Sequence, residues 1–314
     1  MQYMNSAGDR MTAVLLLAFG GPDDMDSIEP FLKNVLPGRP VTPELVERVK
    51  SRYALIGGKS PLPEITWKQA KLLEERLNTS FIPHLSSFKV YVGMRHWHPF
   101  IKDTVRQIQC DGISRIIAVP MAPQASKAST GGYIDALSKA LEEFSGLDVK
   151  VVESWYKNPL YLQAVADTLK EALKELPEER RKYLHVIFSA HSLPIRTVEG
   201  DPYEVQLQET MQGIVRITGP LSHCLAYQSK GQASGEWLGP EVEAVMESLA
   251  KEGKKDILIV PIGFVCDHVE TLYDIDIVFK KKAEELEMNF RRALSLNDSP
   301  LFIEALADIV KTSL

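Results

Sequence analysis

The sequence predicts an α/β fold made of two similar lobes facing each other across a cleft, and three observations carry that prediction. Continuous apolar runs of strand length, Val14 to Ala18, Arg115 to Val119, Leu184 to Phe188 and Asp256 to Val260, have the near-unbroken hydrophobicity of parallel strands covered on both faces. Helical segments with a 3.6-residue pattern lie between them, the alternation expected of βα units. IIAVPMAP and ILIVPIGF resemble each other and take matching places in the two halves, which suggests a duplicated unit. Each half therefore reads as a Rossmann-like lobe with a four-stranded parallel sheet flanked by helices. The division is expected near residues 1–159 and 160–314.

Taken in order, the first strand breaks at Gly20-Gly21-Pro22, and Asp23, Asp24 and Asp26 charge the start of a helix reaching Val35. A second helix starts at Pro43 and carries Arg48 and Arg52. Gly58-Lys59-Ser60 imitates the end of a phosphate loop, but Tyr53 stands where that motif needs glycine and Pro61 follows, so the motif is discarded. Ile65 to Leu77 is expected to be helical and Lys89 to Gly93 a strand. His96 and His98 are then expected to be exposed loop residues. Ser129 and Thr130 are expected to cap a helix from Tyr133 to Phe144, and Val149 to Trp155 to form a fourth strand. In the second half Lys170 to Arg181 reads as a solvated helix, and Leu225 to Tyr227 as a strand. The last apolar segment reads as a closing helix over 300–312, capped by Ser299 and packing back on the first half.

Composition narrows the function. A chain of 314 residues can build a large core, and a net charge of −6 argues against a nucleic-acid surface, which needs clustered Lys and Arg. The apolar runs are strand-sized, so no integral membrane segment is expected, and an N-terminus without an apolar core points to a cytoplasmic protein. Cys110, Cys224 and Cys266 are too dispersed for a disulfide framework or cysteine-held metal and read as small buried residues.

Chemistry-bearing residues gather at two strand ends. After Asp256 to Val260 come Asp267, His268, Glu270 and Asp274. Asp267 and Glu270 have the spacing of a reciprocal capping box, and Glu270 and Asp274 lie one turn apart. His191 stands directly after the strand at 184–188, within Ser189-Ala190-His191-Ser192-Leu193-Pro194. In open α/β sheets both places open on the ligand crevice. A neutral imidazole facing a carboxylate can accept a proton or share a divalent metal. Ser189 and Ser192 lack the surroundings of a nucleophile.

These residues bring out a resemblance that spans nearly the whole chain. AFGGP, RYALIGGKSP, SAHSLP, GDPYE, YQSKGQASGEWLGP and PIGFVCDHVETLYDID are together similar to the ferrochelatases, enzymes that insert ferrous iron into a porphyrin. The resemblance implies that His191 and Glu270 are catalytic and face each other across the macrocycle, with Asp274 assisting the metal and Ser189, Asp267 and His268 in support. It also implies a porphyrin clamped by Phe19, Arg39, Arg52, Ser60, Tyr133, Trp237 and Phe264. The partners implied are the porphyrin and ferrous iron, both substrates, with transient contact with neighbouring haem-pathway enzymes. No cofactor is required, and without the animal-type cysteine extension no iron–sulfur cluster is expected. The polar lip around Arg39, Arg52 and Ser60 is similar to that of enzymes acting on coproporphyrin III, with protoporphyrin IX the alternative. Two departures stand out: Phe19 cannot ligate iron where many relatives have tyrosine or methionine, and Val278 ends the acidic row that relatives continue. More distant readings are a cobalt or nickel chelatase, with a second histidine in place of Glu270, and a non-catalytic ligand-binding module.

Overall fold

A computed structural model describes residues 11–79, 87–231 and 235–314. Two parallel sheets form its frame. The first contains β1 (Thr12–Ala18), β2 (Phe88–Met94), β3 (Arg115–Pro120) and β4 (Asp148–Val151) in the order β2-β1-β3-β4. The second contains β5 (Leu184–His191), β6 (His223–Gln228), β7 (Asp256–Pro261) and β8 (Asn289–Arg292) in the order β6-β5-β7-β8. The two orders are the same, and so is the register at the key edge: Leu17 lies opposite Pro120 in one sheet and Ser189 opposite Pro261 in the other. Each sheet reverses its winding between its first and third strands, and that reversal is where a parallel sheet leaves a crevice at its carboxyl ends.

Burial follows the strand period of two. Val14, Leu16 and Ala18 join one apolar cluster, while Ala13, Leu15 and Leu17 face the opposite way with the helices Ile101–Cys110 and Thr130–Leu141. The first of these clusters also takes in Val186, Phe188 and Val260 from the second sheet, so one core runs between the halves. Helix Pro300–Thr312 lies against helices Leu62–Thr79 and Pro159–Lys174. Gln69 Nε2 donates to Asn297 O at 2.7 Å and Asn158 Nδ2 to Asp308 Oδ2 at 2.7 Å, which fixes both flanks of this contact.

Several local expectations need correction. The solvated helix over Lys170 to Arg181 is two pieces: the first ends at Lys174, Leu176 is buried, and a four-residue turn follows Pro177. Proline breaks the helix because it has no N–H to donate and restricts the residue before it. The helix expected from Tyr133 begins at Thr130, and neither Ser129 nor Ser299 uses its hydroxyl as a cap. Thr130 Oγ1 bonds instead to Ser126 O at 3.0 Å, closing the preceding loop. His96 is buried, with Nδ1 3.0 Å from Asn34 O, whereas His98 is exposed as expected. Burial pushes the His96 imidazolium down to about 4, so the ring is neutral. Cys110 is exposed rather than buried, while burial raises the Cys266 thiol to about 12.

Leu306 is fully buried in the closing helix. Leu306→Ala is expected to cost about 2–5 kcal/mol of stability, read as a fall in the urea midpoint. A change below about 0.5 kcal/mol, the range of an indifferent surface substitution, would mean that the helix contributes little to the shared core.

Candidate active site

The carboxyl ends of β1, β3, β5 and β7 converge on one cavity of about 390 Å³. β1 passes into it through Phe19 and Gly20. Gly20 has φ +92°, and a Cβ there would lie 2.8 Å from Cβ of Trp97, so only glycine makes this turn without strain. β3 contributes Met121 and Gln124, and the helix after it contributes Tyr133. From the second sheet come His191, at the end of β5, and Phe264, Cys266, His268 and Glu270, beyond β7. Gln124 ties the two edges together, Nε2 donating to Ile262 O at 3.2 Å and to Thr210 Oγ1 at 3.1 Å.

His191 and Glu270 meet directly: Nδ1 lies 2.9 Å from Glu270 Oε2. About a third of the His191 side chain reaches the cleft. Burial alone lowers the imidazole, but the charge of Glu270, its hydrogen bond and the charge of Asp274 outweigh this, leaving His191 above the ordinary histidine value. Burial raises Glu270 in turn, and the charge and hydrogen bond of His191 with the charge of His268 bring it below the ordinary value. With Nδ1 bonded to a carboxylate, the neutral ring carries its proton there, and Nε2 has no protein partner among the described residues. Tyr203 OH donates to His191 O at 3.1 Å and Gln228 Nε2 to Glu270 O at 3.2 Å, anchoring the backbone on each side.

The expected capping box is not formed. Asp267 N donates to Asn297 Oδ1 at 2.8 Å, and the Asp267 carboxylate accepts from Ser295 Oγ at 2.7 Å, Asn297 Nδ2 at 2.9 Å, Arg292 at 3.1 Å and Thr271 Oγ1 at 3.2 Å. Glu270 is thereby left for His191. The following helix, Glu270–Phe279, is a π-helix rather than an α-helix, and the Lys280 N–H reaches back five residues to Ile275 O. Thr271, Ile275 and Phe279 are buried, while Glu270, Asp274 and Val278 all line a second cavity of about 880 Å³ outside the first. Ser229 Oγ donates to Asp274.

Of the residues expected at the porphyrin, Phe19, Ser60, Tyr133 and Phe264 line the inner cavity, and Arg39 and Arg52 the outer one. Phe264 packs on the His268 ring with centroids 4.6 Å apart. Among the described residues Trp237 lines neither cavity; it pairs with Pro194 through its backbone. Its neighbours Gln232, Ala233 and Ser234 lie outside the described residues. Ser189 is buried, two residues before His191 in the same strand, its hydroxyl without a partner among the described residues. Arg48, Tyr53, Tyr203, Gln228 and Ser229 line the cavities without having been expected there. Arg48 could have been found, since it falls one helical turn before Arg52.

The sequence profile of the Ferrochelatase family matches residues 11–314. The chain belongs to the ferrochelatase family. Ferrochelatase of Herpetosiphon aurantiacus is 42% identical over 301 residues, covering 95% of this chain and 98% of that one. The Deinococcus radiodurans ferrochelatase is 39% identical over 302 residues, with 95% and 94% covered. In fold alone, the chain is similar to SirB from Bacillus subtilis, solved with Fe³⁺, at a TM-score of 0.56 and 12% identity over 96% of this chain and 95% of that one. CbiX aligns at 0.51 and 10% identity, over 97% of this chain and all of that one. The enzyme is a lyase that inserts iron into a porphyrin in haem biosynthesis. Among the described residues no helix is long and apolar enough to cross a membrane.

Burial raises the Asp274 carboxyl from 3.8 to about 6; Ser229 opposes this, Glu270 adds to it, Arg52 opposes it and Glu243 adds to it. The folded state thus holds this proton more tightly than the unfolded chain, and stability falls as pH rises from about 4 to about 6 and stays lower beyond. Asp274→Asn should remove a cost of about 1–3 kcal/mol, raising Tm at pH 7.5 and hardly changing it at pH 4. Equal shifts at both pH values would show that charge burial is not the cause.

Proposed function

We propose that the porphyrin occupies the inner cavity and that ferrous iron reaches it from the outer one, with His191, Glu270 and Asp274 acting in sequence. The observation behind this reading is the way these side chains divide between the cavities. Asp274 lines only the outer cavity, His191 only the inner one, and Glu270 both. Metal insertion requires the macrocycle to lose two N–H protons as it gains a dication. The free Nε2 of His191 is the natural first acceptor, since Glu270 on Nδ1 raises its basicity and stabilises the imidazolium that forms. Asp274, an anion above about pH 6, passes the cation inward to Glu270. Phe19, Tyr133 and Phe264 supply apolar walls whose contact with the ring can hold it off planarity. Ser189 and His268 support His191 and Glu270. Asp267 supports them at a distance, through the loop it ties down. In this reading iron is a substrate, no resident cofactor takes part, and residues 1–159 and 160–314 are the two lobes that close on the ring.

For the porphyrin we propose coproporphyrin III, giving coproheme, over protoporphyrin IX. Four propionates ask for more cations at the mouth than two. Arg39, Arg48 and Arg52 line the outer cavity, and among the described residues none of them forms an ion pair. Arg52 lies over the Tyr273 ring at 5.2 Å, which holds its guanidinium beside the acidic row.

His191→Ala is expected to lower kcat by at least about 100-fold with native circular dichroism. Glu270→Gln should lose most activity as well, and a fully active Gln variant would reduce Glu270 to a spacer. The parent enzyme should show higher kcat/KM for coproporphyrin III than for protoporphyrin IX, with Arg52→Ala selectively impairing the tetra-acid. A protoporphyrin preference, or equal loss on both, would overturn the substrate assignment and leave the metal chemistry intact.

A further inference from the structure

Arg292, at the end of the edge strand β8, touches neither cavity, yet it holds both ends of the segment that carries the acidic groups. Its guanidinium grips Asp276 as a fork, Nε to Oδ1 at 2.7 Å and NH2 to Oδ2 at 2.8 Å. The remaining nitrogen, NH1, donates to Asp267 Oδ1 at 3.1 Å and to Ser295 Oγ at 3.2 Å. Only 9% of the Arg292 side chain is exposed, against 18% for Asp267 and 35% for Asp276. A planar cation with donors on three sides suits such a bridge, and lysine, a single point charge, cannot reproduce it.

The positions it joins matter more than the ion pairs themselves. Asp267 lies three residues before Glu270, and Asp276 two residues after Asp274. Between them the chain leaves a loop and enters a π-helix, a rare coil that needs support from outside its own backbone. Asp276 is on the helix, Asp267 is in the loop, and Arg292 fixes one relative to the other. From the other side Asn297 secures Asp267 through both its backbone N–H and its carboxylate.

We infer that Arg292 is a positioning residue for iron delivery: by clamping Asp267 to Asp276 it sets the register of the π-helix, and so the aim of Glu270 at His191 and of Asp274 into the outer cavity. This rests on the reading of Glu270 and Asp274 as the groups that handle the metal. The clamp leaves porphyrin binding untouched, because the apolar walls of the inner cavity, Phe19, Tyr133 and Phe264, stand on other elements or before Asp267.

The test compares Arg292→Gln, Arg292→Lys and Asp276→Asn in steady-state kinetics with ferrous iron and porphyrin varied separately, each well below its own Tm. Arg180→Gln, which removes the pair of Arg180 with buried Asp256 at 2.8 Å on the far end of the second sheet, controls for lost stability alone. Arg292→Gln and Asp276→Asn should each lower kcat/KM for iron about 10- to 100-fold, as loss of a group orienting metal ligands does. Porphyrin Kd, read by fluorescence quenching, should stay within about twofold of the parent. The double variant should be no worse than the poorer single one, since both break the same clamp. Arg292→Lys should fall between, and Arg180→Gln should lose Tm without changing the iron kinetics. If Arg292→Gln fails to fold, Asp276→Asn and Arg292→Lys decide by the same criteria. Unchanged iron kinetics, equal losses for iron and porphyrin, or a like effect from Arg180→Gln would overturn the inference. A fully active Glu270→Gln variant would instead show that the metal-handling reading beneath it had failed.

Discussion

The hydrogen bond between His191 and Glu270 depends on the crevice at the carboxyl edge of the second sheet, where β5 and β7 lie side by side and the chain leaves each of them. In each sheet the first and third strands stay paired to their carboxyl ends and the chain leaves the sheet beyond them, while one apolar core joins the two halves. His191 sits on one strand of the second crevice and Glu270 beyond the other, so the pair bridges a switch point rather than lining up along a single element. A histidine and a carboxylate joined this way stabilise each other's charged forms against burial. Either one alone in this place would shift toward neutrality. The function thus follows from topology before it follows from any local motif.

The same constraint explains why the site is electrostatically uneven. Glu270 has imidazoles to answer its charge and lies below the ordinary carboxylate value, whereas Asp274, one step along the row, has only a hydroxyl and the more distant Arg52 and is pushed up to about 6. A carboxylate held under such strain gains more from a passing cation than one already neutralised, and it is costly to keep while none is there. Stability given up at a working site is a common pattern in enzymes. Asp267 and Asp276 show the contrast within the same segment: answered by Arg292, they serve structure.

Much of this was legible in the sequence because strand ends carry strong local signals. The unbroken apolar runs of β1, β3, β5 and β7 placed four strands, and the break after each placed Phe19, His191 and Glu270 at one edge. What escaped was set by long-range partners. Asp267 and Glu270 satisfy the spacing of a capping box, but Asn297, thirty positions away, takes the N–H that Glu270 would have capped. The buried state of His96 depends on Asn34 across the fold. A helical pattern read at 3.6 residues per turn could not reveal the π-helix, because the four-residue recurrence of Thr271, Ile275 and Phe279 suits an α-helix equally well. Trp237 was expected at the ring because loops seldom bury an aromatic without purpose; its backbone pairs with Pro194 and its ring lies beside Gly231, which lines the outer cavity.

The π-helix also gives the place of Val278 a physical meaning. Glu270, Asp274 and Val278, four residues apart on this helix, line one wall of the outer cavity. Two of these positions are acidic and the third is apolar, and Glu241 and Glu243 add acid to the same cavity from the start of another helix, Glu241 paired with Lys230. The rim instead presents Arg39, Arg48 and Arg52, whose charge favours carboxylates. In the proposed reading a cation and the carboxylates of the porphyrin both approach this cavity, and their demands are opposite. Placing the arginines on the first-half lip and the acids on the second-half helices gives each substrate its own wall, and Arg52 over Tyr273 marks the seam where the two walls meet.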